Sequence, residues 1–116
     1  DMVDALNGLA NLYARQRKDE QARQLYQRAL RIQEQHLGHN HPKTARILYD
    51  QALFCQGQGD LYQALSLMGR ALQICYRSLG ATHPKTLATQ TLYTQFLQTQ
   101  KHTKGVCLHI LPAFLV

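Results

Sequence analysis

Carboxylates, cysteines and long apolar runs are all scarce in this chain, and each scarcity excludes something. Seven Asp and Glu stand against 13 Lys and Arg, a net charge of +6. No pair of carboxylates is spaced for general acid–base work. There is also no Ser/His/Asp order with supporting turns and no Gly-rich phosphate loop, so an enzyme is not expected. The three cysteines, Cys55, Cys75 and Cys107, are odd in number, widely spaced and without a CxxC pair. That excludes a disulfide framework and fits reduced thiols, hence an intracellular, cytoplasmic location. No apolar run reaches the roughly 18 residues that a membrane-spanning helix needs. The first residues, Asp1-Met2-Val3-Asp4, have neither the basic region nor the apolar core of a signal peptide.

What remains is ordinary for one globular domain: 116 residues with 45% hydrophobic content. The basic excess favours acidic partners and says nothing of the fold. Gln is frequent, so the surface is more polar than ionic.

The most informative stretch is His41-Pro42-Lys43-Thr44, which returns unchanged as His83-Pro84-Lys85-Thr86, 42 residues later. Sliding the chain by 42 sets Leu6–Thr44 against Leu48–Thr86, and 16 of those 39 positions are identical. A fixed period of this length marks a repeat architecture. The units are then roughly 1–42, 43–84 and 85–100, with 101–116 outside the pattern. By the same register the chain begins just after the place of an earlier His-Pro, so a piece of a longer array is expected.

Within unit one, Leu6, Leu9, Ala10 and Tyr13 recur at helical spacing and predict helix A over Val3–Gln16. Arg17-Lys18-Asp19 is the turn. Helix B follows over Asp19–Leu37, with its stripe at Ala22, Leu25, Tyr26, Ala29, Leu30 and Gln33. Gly38 then suits a left-handed C-cap, and Pro42 suits the first turn of the next helix. Unit two repeats this plan, with helix A over Lys43–Gly57, a turn at Gln58-Gly59-Asp60, and helix B over Leu61–Leu79 closed by Gly80. Its inward residues are Leu48, Ala52, Cys55, Ala64, Leu67, Met68, Ala71, Leu72 and Cys75.

Unit three supplies a helix A over Lys85–Gln100 and no second helix of the same kind. In register, Pro112 falls on a helix-interior position, at a cost of about 3 kcal/mol. The run from Gly105 to Val116 is mostly apolar, yet too short to span a bilayer. It is expected to fold back on the last helices or to join two copies into a homo-oligomer.

Paired helices with alanines at the crossings resemble the tetratricopeptide repeat. Leu6, Leu9, Ala10, Tyr13, Ala22, Tyr26 and Ala29 carry the likeness in unit one. Leu48, Gln51, Ala52, Cys55, Ala64, Met68 and Ala71 carry it in unit two. The stretches LNGLANLY and RALRIQEQHLGHNHPKTA, with a period of 42, resemble the kinesin light chain and nephrocystin-like type of this repeat. The resemblance covers roughly residues 1–100. It implies an all-α tetratricopeptide-repeat superhelix of antiparallel helix pairs, two full repeats plus a partial third. It also implies a non-catalytic scaffold that binds a peptide or partner protein, acidic in view of the basic charge, in the concave groove of the A helices. No cofactor and no metal are implied.

Groove candidates lie one turn off the packing stripe of each A helix: Asn7, Asn11 and Arg15 in unit one, Arg46, Tyr49 and Leu53 in unit two, Thr91 and Gln95 in unit three. Asp4 and Asp50 share that face. Asn amides can pair a peptide backbone, Arg46 a carboxylate, and Tyr49 and Leu53 an apolar side chain. His36, His39 and His41 invite a metal reading but lack a third ligand at suitable spacing. Recurrence of His41 as His83 instead gives it a role in every repeat. Cys55 and Cys75 sit on packing stripes as small buried apolar residues. Basic clusters at Arg15–Lys18 and Lys101–Lys104 raise an RNA-binding alternative. Against it, the equivalent positions Asn7, Tyr49 and Thr91 keep no common hydrogen-bonding pattern for reading bases.

Overall fold

In the computed structural model the chain is described over residues 2–109, with side chains over 2–100. Five helices follow one another: α1 (Met2–Arg15), α2 (Asp19–Leu37), α3 (Pro42–Gly57), α4 (Leu61–Leu79) and α5 (Pro84–His109). No strand occurs among the described residues. Helices α1 and α2 pair, as do α3 and α4. Between pairs, α2 lies on α3 and α4 on α5, and α1 also touches α3.

The seam between units is built by the repeated tetrapeptide. His41 is the N-cap of α3, and its Nδ1 accepts the Lys43 amide at 3.0 Å. His83 Nδ1 accepts the Lys85 amide at 3.1 Å in the same way. Proline occupies the first helical position after each, where its missing N–H costs nothing. Thr44, fully buried, donates its hydroxyl to the Gly38 carbonyl at 3.0 Å, and buried Thr86 donates to the Cys75 carbonyl. Histidine here is therefore punctuation, as the recurrence implies.

Gly38 and Gly80 end α2 and α4, but not in the expected left-handed helical conformation. Their φ, ψ values are 87°, 177° and 89°, 163°, a region that glycine alone populates. Asparagine could serve a left-handed cap but not this one. The turns inside each unit also match in register. Arg17 at φ 64° takes the place of Gly59 at φ 86°. Arg17 donates to the Ala14 carbonyl and Lys18 to that of Tyr13, as Gly59 does to Gln56 and Asp60 to Cys55. Unit two adds a true cap, because Asp60 Oδ1 accepts the Gln63 amide at 3.1 Å, whereas Lys18 offers no acceptor.

Alanines Ala10, Ala22, Ala29, Ala52, Ala64 and Ala71 are wholly buried and let helix axes approach. Tyr26, Leu48, Met68 and Phe96 fill the space beside them. Tyr26 of α2 meets Phe54 of α3 with ring centroids 5.4 Å apart and planes tilted by 47°, which ties unit one to unit two. At α4–α5 the approach is closer still, since a β-carbon on Gly69 would lie 3.2 Å from the Tyr93 ring.

Two further expectations are corrected. The buried face of α1 is Val3, Asn7 and Ala10, while Leu9 is 40% exposed. Asn7 thus lies on the packing face, because among the described residues α1 packs on α2 and α3 alone. The third A helix does not stop at Gln100 but continues to His109. Lys101, in register with Arg17 and Gly59, stays helical instead of turning. The expected placement of the tail beyond His109 lies outside the described residues.

Candidate functional site

A cleft of about 400 Å³ opens where the C-terminal halves of α1 and α3 meet the turn between α1 and α2. Ala14, Tyr26, Leu53 and Phe54 form its apolar floor, and Arg15 and Arg17 stand at its edge with Asp19, Gly57 and Gln58. Neither guanidinium has an ion-pair partner among the described residues. Arg15 is positioned by the last turn of α1 and Arg17 by the positive φ that starts the turn.

The wall of the cleft is a polar network centred on Asp50. Its Oδ2 accepts Asn7 Nδ2 at 2.7 Å and Asn11 Nδ2 at 3.3 Å, and Arg46 Nε lies 3.5 Å away. Asn11 Oδ1 in turn accepts the Tyr26 hydroxyl. Four side chains from α1, α2 and α3 are thereby tied to one carboxylate. Asp50 Oδ1 holds no hydrogen bond among the described residues. Asn7 is 7% exposed, and its Oδ1 has no partner there either.

Electrostatics follow from this packing. Burial, reinforced by the Asp50 charge and then by Cys55, pushes the Tyr26 phenol up to about 12. Burial, and less strongly Asp50, also raises Tyr49. The Cys55 thiol is raised by burial and by Asp60 against an opposing effect of Arg23, which keeps it protonated and unreactive. On the opposite side of the seam, partial burial pushes the Glu34 carboxyl up. Hydrogen bonds from Arg70 and His39, and their charges, outweigh this and leave it below the ordinary range. Arg70 Nη2 donates to Glu34 Oε2, and His39 Nδ1 lies 2.9 Å from the same oxygen. His39 and His41 are thus occupied by a carboxylate and a cap, and no group of three metal-ligating side chains occurs among the described residues.

The predicted groove residues therefore divide. Arg15 and Leu53 line the cleft, and Asn11 forms part of its wall. Asn7 and Asn11 turn their amides onto Asp50 within the protein. Arg46 remains exposed beside Asp50. Tyr49 is half-buried against the core. Thr91 and Gln95 are exposed on α5, away from the cleft, and the Thr91 hydroxyl donates to the Leu87 carbonyl at 2.9 Å. Missed from the sequence were Tyr26, Phe54 and Arg17 as lining residues. The i, i+4 spacings of Asn7 with Asn11 and of Arg46 with Asp50 were the available signal for the network.

No helix among the described residues is long and apolar enough to cross a membrane. No curated protein sequence gives a significant match to the chain. A family model described as Tetratricopeptide repeat matches residues 3–43 and 44–85. Those bounds follow the 42-residue register and cover nearly all of the two helix pairs, and repeats of this family generally serve as non-catalytic scaffolds for protein–protein interaction. With both pairs, their alanine crossings and their seams accounted for, the chain belongs to the tetratricopeptide repeat family.

Proposed function

We propose that this chain is a non-catalytic scaffold that holds an acidic peptide or an acidic segment of a partner protein in the cleft between α1 and α3. The observation that carries this reading is the pairing of an apolar floor (Ala14, Tyr26, Leu53 and Phe54) with two uncommitted guanidiniums, Arg15 and Arg17. A ligand carboxylate would meet those guanidiniums in bidentate fashion, and a neighbouring apolar side chain would cover the floor. Asp50 Oδ1 adds an acceptor for a peptide N–H. The cleft's own acids oppose this little. Asp50 is matched by Arg46, and Asp19 sits in the first turn of α2, where the helix dipole favours it.

The 42-residue period, the glycine ends and the histidine caps support a repeat of the kinesin light chain and nephrocystin-like type. Buried free thiols at Cys55 and Cys75 support a reducing, cytoplasmic setting.

Fluorescence anisotropy with labelled acidic, neutral and basic peptides of one length, at two salt concentrations, tests the reading. The acidic peptides should bind best, and R15E/R17E should weaken them by about ten-fold or more, as the loss of two charge-assisted contacts implies. Equal binding of all three peptide classes would refute it. So would tight, strongly salt-dependent binding of single-stranded RNA with no peptide binding.

A further inference from the structure

The cleft between α1 and α3 has room for one side chain more than for a length of chain. Its volume of about 400 Å³ lies near the lower end of the range for ligand pockets. A side chain that fills it must cover the apolar floor of Ala14, Tyr26, Leu53 and Phe54 and also bring an anion to Arg15 and Arg17. Aspartate and glutamate carry the charge but no apolar body for the floor. Their two oxygens also satisfy only one guanidinium fork in bidentate fashion, and the cleft offers two forks. A phosphate monoester brings three terminal oxygens and a charge of about −1.5 to −2 at pH 7, enough for both.

The guanidinium pair belongs to this cleft and not to the repeat plan. In the 42-residue register the counterparts of Arg15 and Arg17 are Gly57 and Gly59 in unit two, and Thr99 and Lys101 in unit three. Gly57 itself lines the cleft, at the place on α3 that Arg15 takes on α1. A β-carbon there would have nothing within 4 Å, so bare backbone leaves the α3 side open to a planar ring.

We propose that the cleft takes a phosphotyrosine side chain of a partner protein, its ring on the floor and its phosphate at Arg15 and Arg17. The inference rests on the acidic-ligand reading of the same cleft and narrows it to one side chain. The ring supplies the apolar body, and Tyr26 and Phe54 in the floor offer it aromatic contact. Arginine suits the task, since its planar fork matches phosphate oxygens where lysine offers a point charge. The cleft's own carboxylates have other partners. Asp50 accepts the Asn7 and Asn11 amides and lies beside Arg46, and Asp19 stands in the first turn of α2, where the helix dipole favours it.

Fluorescence anisotropy with the 116-residue chain tests this. The labelled peptides share one otherwise neutral sequence and carry phosphotyrosine, phosphoserine, glutamate or tyrosine at one central position. Phosphotyrosine should bind about ten-fold or more tighter than each of the others, as an added charge-assisted contact or a covered floor implies. R15E/R17E should remove that preference. G57L, which fills the α3 side of the cleft, should weaken the phosphotyrosine peptide by about ten-fold and leave helicity unchanged. Glutamate binding as tightly as phosphotyrosine would overturn the phosphate assignment and leave the acidic-ligand reading standing. Binding of none of the charged peptides, here or among acidic peptides generally, would overturn both. Phosphoserine equal to phosphotyrosine would remove the floor from the site, and the proposal falls. It falls too if inorganic phosphate displaces the label as effectively as unlabelled phosphotyrosine peptide, which would leave a bare phosphate site.

Discussion

Replacing Asp50 by Leu should expose how far one carboxylate holds unit one to unit two. The substitution removes the acceptor of Asn7 Nδ2 at 2.7 Å and of Asn11 Nδ2 at 3.3 Å. Asn7 is buried and already has an unpartnered Oδ1, so its amide would lose its one partner. Each orphaned buried donor costs about 1–3 kcal/mol, and Asn11, half-buried, belongs at the low end. Loss of the exposed Arg46 contact adds about 0–1 kcal/mol. The expected total is about 2–5 kcal/mol, read from urea denaturation followed by circular dichroism. The chain also carries its own remedy. In the 42-residue register, the counterparts of Asn7, Asn11, Tyr26 and Asp50 are Tyr49, Leu53, Met68 and Leu92, an apolar set at the next position along the stack. The quadruple variant N7Y/N11L/Y26M/D50L should therefore recover most of the lost stability, because no buried polar group is left unpaired. A D50L variant within about 0.5 kcal/mol of the wild type would refute the reasoning, since that is the scatter of ordinary surface changes. A quadruple variant less stable than D50L would refute it too.

The other expected outcomes concern caps, turns and titration. R17G/K18D copies the turn of unit two into unit one. Relief of a positive φ, about 1–2 kcal/mol, and a new N-cap, about 0.5–2 kcal/mol, outweigh the added chain entropy and the loss of the exposed contact of Lys18 with the Tyr13 ring. The melting temperature should rise by several degrees, while loss of Arg17 should weaken acidic-peptide binding. G38A should destabilise by about 1–3 kcal/mol, because no other residue adopts φ 87°, ψ 177° without strain, and denaturant midpoints will show it. Tyr26 ionises near pH 10 in an unfolded chain and near 12 in this fold, so the folded state binds the extra proton between those values. Stability should be complete below pH 10 and fall as pH rises toward 12, by up to about 2–3 kcal/mol, and Y26F should flatten that loss in pH-dependent melting.

The seams were legible from the chain alone because their physics is local. His41 caps an amide two residues ahead of it, and Pro42 and Gly38 act through their own backbone angles. The turns were legible for the same reason. The packing face of α1 was not. Leu6, Leu9, Ala10 and Tyr13 form a valid helical stripe, but which stripe is buried depends on neighbours, and those of α1 among the described residues are α2 and α3. The Asp50 network escaped for a different reason. Periodicity finds what recurs, and the positions of Asp50 in the other units hold Gly8 and Leu92, so this polar set occurs once. Arg17 was readable as a turn residue, and only the fold brings it to the cleft beside Arg15. The extension of α5 past Gln100 was hidden by Gly105, a residue that marks a break on propensity and is carried here within a helix.

The seam has a consequence for how such a chain can lengthen. Each histidine cap bond closes inside its own tetrapeptide, between His41 and Lys43 or between His83 and Lys85. Suppose residues 43–84 are duplicated in tandem. The copy then ends in His-Pro and the next begins with Lys-Thr, so the junction regenerates an intact cap. The new α3 also meets an α4 in place of an α2, a pairing for which the close fit of α4 with α5 is the precedent. A gene duplication of this size needs no compensating change at the junction. It inserts a helix pair whose start and stop are already written, and growth by whole units is the mutational path of least disruption.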